Sequence, residues 1–140
     1  MNEIAILIAE DDADDRYLLQ AAFDENGYED KLCFVENGLE LIDYLHQWRA
    51  GKPGYERPSF IMLDLNMPRK DGREVLTELK NDDLLRTIPV IVFSTTNNEQ
   101  EMKRCYDAGA NSYITKPNSF EGLVQTVAAV RSYWVHFTNI

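Results

Sequence analysis

Two apolar runs in the sequence end on carboxylates. The stretch "ILIAEDD", Ile6 to Asp12, closes on Glu10, Asp11 and Asp12. The stretch "FIMLDLNMPRKDG", Phe60 to Gly72, passes from Phe60-Ile61-Met62-Leu63 straight to Asp64 and then into a turn rich in Asn, Pro and Gly. Carboxylates brought to contact repel by roughly 4 kcal/mol per pair at an effective dielectric near 20. Unless they take up protons, such a group needs a cation. The donors are hard oxygens with no His or Cys among them, which favours Mg2+, with Mn2+ as the alternative ion, over zinc. Two further runs, "IPVIVFST" and "YITKP", end with Ser94 or Thr95 and with Lys116. A hydroxyl and an ammonium beside a metal-bound carboxylate are what a transferring phosphoryl group requires, because its oxygens need donors and positive charge from several sides. The competing reading of the acids is a helix start, where the macrodipole favours negative charge. That reading is preferred for Asp14 and Asp15, the site is preferred for Asp11 and Asp64, and Glu10 and Asp12 fall between.

These residues work together only if their strands deliver them to one edge of a sheet. Ile4–Ala9, Leu32–Val35, Phe60–Leu63, Val90–Phe93 and Tyr113–Thr115 read as five strands, and their unbroken apolar character suits a parallel sheet covered on both faces. Between and after them, residues 14–26, 39–47, 73–81, 99–108 and 120–137 carry apolar side chains at helical spacing. Asn37 and Asn98 are N-cap candidates with Glu40 and Glu101 three residues on, and Gly27 and Gly109 close two helices. Strict alternation predicts a doubly wound α/β sandwich, in which ligands sit outside the C-terminal strand ends. The segment "WRAGKPGYERPS", Trp48 to Ser59, reads as a long surface loop.

The 140 residues suit one globular domain, 1–140, with no output domain, and the acidic balance of 24 Asp and Glu against 14 Lys and Arg, net charge -10, disfavours nucleic acid and anionic membrane surfaces as partners. No signal peptide or spanning segment is apparent, so a cytoplasmic location is expected. Cys33 and Cys105 lack metal-type spacing and read as reduced, buried thiols.

Taken together, "ILIAEDD", "IMLDLNMPRKDG", "IPVIVFST" and "AGANSYITKP" resemble the response-regulator receiver domain of two-component signalling, over essentially the whole chain. The resemblance implies a flavodoxin-like sheet of order 2-1-3-4-5 and a phosphoacceptor at Asp64. It implies Mg2+ bound by Asp11, Asp64 and the backbone carbonyl of Asn66, with Glu10 acting through water. Ser94, the amide of Thr95 and Lys116 would hold the phosphoryl group, Ser94 and Tyr113 would form the switch, and the Lys116–Pro117 bond would be cis. The donor would be the phosphohistidine of a histidine kinase; the chain would catalyse only its own phosphorylation and dephosphorylation. Thr95 stands where Ala or Gly is frequent and Thr96 lies two residues past Ser94, positions that bear on phosphoryl lifetime. The "WRAGKPGYERPS" loop and the aromatic end "RSYWVHF" resemble the stand-alone receivers that serve cyanobacterial and bacterial phytochrome kinases.

A haloacid-dehalogenase-type phosphatase would need a second acid two residues after its nucleophile, and here Asn66 stands there. A dinucleotide-binding domain would need a Gly-rich turn where this chain has three acids. A degenerate receiver, binding partners without phosphorylation, is opposed by the joint presence of Asp11, Asp64, Ser94 and Lys116. On the last helix, Phe120, Leu123, Val127 and Trp134 form one stripe and Val130, Tyr133, Phe137 and Ile140 a second. The second stripe is either core edge or, with Tyr106 and Tyr113, a two-fold homodimer patch on the fourth helix, fifth strand and fifth helix.

Overall fold

The structure, a computed structural model, describes residues 4–136; of the second stripe, Phe137 and Ile140 lie outside the described residues. Strands β1 (Ala5–Ala9), β2 (Lys31–Val35), β3 (Phe60–Leu63), β4 (Val90–Ser94) and β5 (Ser112–Thr115) alternate with helices α1 (Ala13–Glu25), α2 (Gly38–Arg49), α3 (Gly72–Lys80), α4 (Glu99–Asp107) and α5 (Phe120–His136). The strands form one parallel sheet of order β2-β1-β3-β4-β5, as the resemblance implied. A 3-10 turn at Leu85–Thr87, between α3 and β4, has no counterpart in the sequence reading.

The unbroken apolar runs have the cause inferred for them. Every residue of β1, β3 and β4 is buried, and alternate side chains enter opposite layers. Leu7, Ala9, Ile61, Leu63, Val90 and Val92 meet α2, α3 and α4 on one face. On the other, Ile6, Ile8, Phe60, Met62, Ile91 and Phe93 meet α1 and α5 through Leu19, Phe23, Leu123, Val127 and Val130. β2 and β5 lie at the sheet edges and are only partly covered.

Asn37 and Asn98 cap α2 and α4 as expected, accepting from the Glu40 and the Gln100 and Glu101 amides. The reciprocal capping box forms elsewhere, between Asp71 and Glu74 at the start of α3. Glu101 instead turns its buried carboxylate to the Arg73 guanidinium, tying α4 to α3. Gly27 and Gly109 adopt positive φ, 75° and 109°, at the ends of α1 and α4.

One helical expectation is corrected. Val130 is 5% exposed and packs into the α1–α5 layer, so it belongs with the sheet-facing stripe; of the described members of the second stripe only Tyr133, at 52%, stands out to solvent. Trp134, assigned to the first stripe, is half-buried and packs against that layer, and its ring meets Tyr133 edge-on at 5.1 Å. A helix 17 residues long turns through several faces, and periodicity alone does not show which of two adjacent stripes meets the sheet. Arg131, on the same helix, is buried despite its charge. It is 1% exposed, and its Nε and Nη2 bind Asp30 Oδ2 and Oδ1 at 2.6 and 2.9 Å, with the guanidinium 4.3 Å from the centre of the Tyr28 ring.

The long loop is held by Tyr44 of α2. Its hydroxyl donates to the Glu56 carbonyl and accepts from the Glu56 amide, both at 3.2 Å, while its ring meets Tyr55 edge-on. Burial pushes the Tyr44 hydroxyl up to about 12, so it remains a donor at physiological pH.

Candidate functional site

β1 and β3 are adjacent and pair Ala9 with Leu63. The next residue of each strand is the acid singled out by sequence. The Asp64 amide donates to the Ala9 carbonyl at 3.1 Å, and the Glu10 amide to the Val35 carbonyl at 2.9 Å, so sheet pairing continues to the carboxylates and fixes their positions. Glu10 and Asp64 are buried, 2% and 7% exposed, whereas Asp11 is open to solvent. One carboxylate oxygen from each of Glu10, Asp11 and Asp64 lies within 4.8 Å of the others. Among the described residues this is the grouping able to hold a metal ion. Three hard oxygen donors with an open side fit Mg2+ or Mn2+, which keep water and substrate oxygens in the remaining positions.

Lys116, just past β5, crosses two strands to reach them. Its Nζ lies 2.5 Å from Glu10 Oε1, 3.4 Å from Asp64 Oδ2 and 3.5 Å from Asp15 Oδ2. Burial alone would pull this ammonium down, but its hydrogen bond to Glu10 and the charges of Asp64, Glu10 and Asp15 outweigh that and hold it above the ordinary lysine value. Burial pushes the Glu10 carboxyl up to about 7 despite the lysine, and the Asp64 charge adds to the rise. Three carboxylates thus share one ammonium at this edge of the sheet.

The other Asp64 oxygen, Oδ1, accepts from the Asn66 amide at 3.1 Å, so the carboxylate is fixed at both ends. The following loop is pressed from two sides by glycines. Gly72 lies against the Asp64 carbonyl, where a β-carbon would sit 2.4 Å from that oxygen and 2.7 Å from Leu65 Cα. Gly38, at the start of α2, donates its amide to the Lys70 carbonyl at 3.0 Å, with no room there for a side chain. Within the loop Arg69 adopts φ 68°, a conformation costing roughly 1–2 kcal/mol for a residue with a β-carbon.

Ser94, the last residue of β4, is fully buried, and its hydroxyl accepts from the Thr96 amide at 3.3 Å. Its oxygen is thus engaged by its own loop, and Thr95 is exposed. Tyr113 is half-buried against the α2–α4 layer; its hydroxyl donates to the Thr96 carbonyl at 2.7 Å, and its backbone amide donates to the Tyr106 hydroxyl at 2.9 Å. Burial pushes the Tyr113 hydroxyl up, opposed by its contact with Ser94. Ser94 and Tyr113 thus meet the same short segment after β4.

One expectation fails at the site. No cis peptide bond occurs among the described residues, so the Lys116–Pro117 bond is trans. The trans isomer is the intrinsically favoured one, by about 0.5–1 kcal/mol. Here it already delivers Lys116 to the carboxylates while the Lys116 amide pairs with the Ser94 carbonyl at 2.7 Å. Asp15 was assigned to the helix start; its amide does donate to Asp12 Oδ1 at 2.9 Å, but its carboxylate also faces Lys116.

A sheet of this order, with acids at the ends of its first and third strands and a lysine arriving from its fifth, defines a class that comparison with known proteins makes specific. Residues 6–128 match the family model for the response regulator receiver domain. A probable methanogenesis regulatory protein, FilR2 of Methanothrix harundinacea, is 36% identical over 130 residues, 93% of this chain and 83% of that protein. Response regulator Rcp1 of Synechocystis sp. is 35% identical over 135 residues, 96% of this chain and 91% of that one. The crystal structure of the phosphorylated cyanobacterial phytochrome response regulator RcpA superposes with a TM-score of 0.87 at 37% identity, covering 99% of this chain and 98% of that one. The Mn2+-bound form of Rcp1 gives 0.84 at 34%, covering 98% of each. The chain belongs to the response regulator receiver domain family. Among the described residues no helix is long and apolar enough to cross a membrane.

Proposed function

We propose that the chain is a phosphoryl-accepting signalling switch in which Asp64 is the acceptor. The observation that carries this reading is the convergence of Glu10, Asp11 and Asp64 within 4.8 Å, with the Lys116 ammonium 3.4 Å from Asp64. Asp64 attacks phosphorus with a carboxylate oxygen as the bond to the donor's histidine nitrogen breaks, and that electron pair returns to the imidazole. Lys116 moves from Glu10 and Asp64 onto a phosphoryl oxygen. Ser94 releases the Thr96 amide to donate its hydroxyl to another oxygen, and the Thr95 amide assists. Asp11, Asp64 and the Asn66 carbonyl would hold Mg2+, with Glu10 acting through water, and the ion would supply the positive charge that lets an anionic phosphoryl group enter an anionic cleft. Recruitment of Ser94 loosens the segment to which Tyr113 is bonded, which gives the switch a physical link to the α4–β5–α5 face.

The donor in this reading is a cytoplasmic histidine kinase. The likeness to a receiver described as a cyanobacterial phytochrome response regulator supports a phytochrome-type kinase. Homodimerisation through α4, β5 and α5 belongs to the same reading, carried by the exposed Tyr106 and Tyr133. Sedimentation as a monomer at tens of micromolar, with phosphoryl donor and Mg2+ present, would remove that element.

The reading is tested with acetyl phosphate. Intact-protein mass should rise by one phosphoryl group when Mg2+ is present and remain unchanged with a chelator or in Asp64→Asn. Labelling that survives either change contradicts it. Phosphorylation-independent binding of the same partners by Asp64→Asn would favour the degenerate-receiver alternative.

A further inference from the structure

The fourth carboxylate at this site, Asp15, comes from a position whose sequence context explains it fully as a first-turn helix acid. The side chain nonetheless does something else. Asp15 Oδ2 is 3.5 Å from Lys116 Nζ, which also lies 3.4 Å from Asp64 Oδ2. A cavity of about 210 Å3 opens over Lys116, its polar end formed by Glu10, Asp15 and Lys116 and its apolar walls by Leu18 and Phe120. Asp15 is the partly exposed acid of the three charges, with 44% of its side chain accessible against 3% for Glu10.

We infer that Asp15 is a positioning residue that restrains the Lys116 ammonium in the resting site and adds a partly exposed negative charge beside the ammonium that an anionic phosphoryl donor must reach. This rests on the phosphoryl-accepting reading of Asp64. With acetyl phosphate the step is the formation of an Asp64 oxygen–phosphorus bond as the phosphorus–oxygen bond to acetate breaks, releasing acetate. Asp15 takes no part in bond making. It competes with the phosphoryl oxygens for Lys116 and repels the donor, so its effect falls on donor capture and is screened by salt within a Debye length of about 10 Å at 0.1 M.

The test compares wild type, Asp15→Asn and Asp15→Glu, labelled by acetyl phosphate in saturating Mg2+ at low and high ionic strength. Asp15→Asn is expected to lower the KM for acetyl phosphate by about fivefold at low ionic strength with the limiting rate unchanged. The difference should shrink at high ionic strength, and Asp15→Glu, which keeps the charge, should match wild type. A change in limiting rate alone, or one equal at both ionic strengths, would mark Asp15 as only a helix-start acid and overturn the inference. A second readout needs no metal or turnover: in a crystal structure of Asp15→Asn, Lys116 Nζ should lie closer to Asp64 Oδ2 than 3.4 Å. If no variant and no wild type is labelled, the acceptor reading fails, and an unmoved Lys116 in that crystal then overturns this inference separately.

Discussion

Replacing Arg131 with methionine is expected to destabilise the protein by about 3–5 kcal/mol, lowering the midpoint of thermal unfolding by roughly 10–20 °C. Arg131 and Asp30 form a two-pronged ion pair whose side chains are only 2% and 1% exposed. The cost comes from what is left behind, since Asp30 would keep a buried charge whose Oδ1 still accepts from the Ile4 amide at 3.2 Å. Replacing both partners by apolar groups, Arg131→Met with Asp30→Leu, should recover most of the loss, short of the roughly 1 kcal/mol held in the Ile4 contact. Calorimetry on the single and double variants measures both values. A single-variant loss below 1 kcal/mol, or a double variant no more stable than the single, would show that the pair is not buried as described.

Gly72→Ala carries the second large effect, and it joins stability to chemistry. Its new β-carbon would meet the backbone of Asp64 and Leu65, atoms that cannot rotate away as a flexible side chain can. Relief requires movement of α3 or of the Asp64–Leu65 peptide, at a cost of about 1–3 kcal/mol. Because that peptide carries the acceptor, a shift of about 1 Å is expected to slow labelling by roughly a hundredfold. Urea unfolding and acetyl phosphate labelling report the two consequences. A variant with wild-type stability and labelling would show that the loop has slack at Gly72.

How far the sequence discloses the molecule depends on the range of the interaction. The strands were legible because burial on both faces demands continuous apolar residues, and the strand-end acids because a carboxylate directly after such a run is conspicuous. Helix ends at Asn37, Asn98, Gly27 and Gly109 were legible for the same local reason. Arg131 was not, because its burial depends on an acid 101 residues away. The role of Gly72 was hidden because close backbone approach leaves no trace in residue type beyond the glycine itself. Asp15 satisfied a local rule, that of the helix start, and its second contact arises only when β5 brings Lys116 to the same edge. The cis bond at Pro117 came from family likeness alone, and the trans chain reaches the same carboxylates.

The most direct test of the central claim is chemical mapping of the acceptor. The chain is phosphorylated with acetyl phosphate and Mg2+, reduced with borohydride, which converts an aspartyl phosphate to homoserine, digested, and sequenced by mass spectrometry. The account predicts homoserine at position 64 and at no other acid, including Asp11, Asp12 and Asp15. Homoserine at another position, or none in a protein that has gained a phosphoryl group, would contradict it.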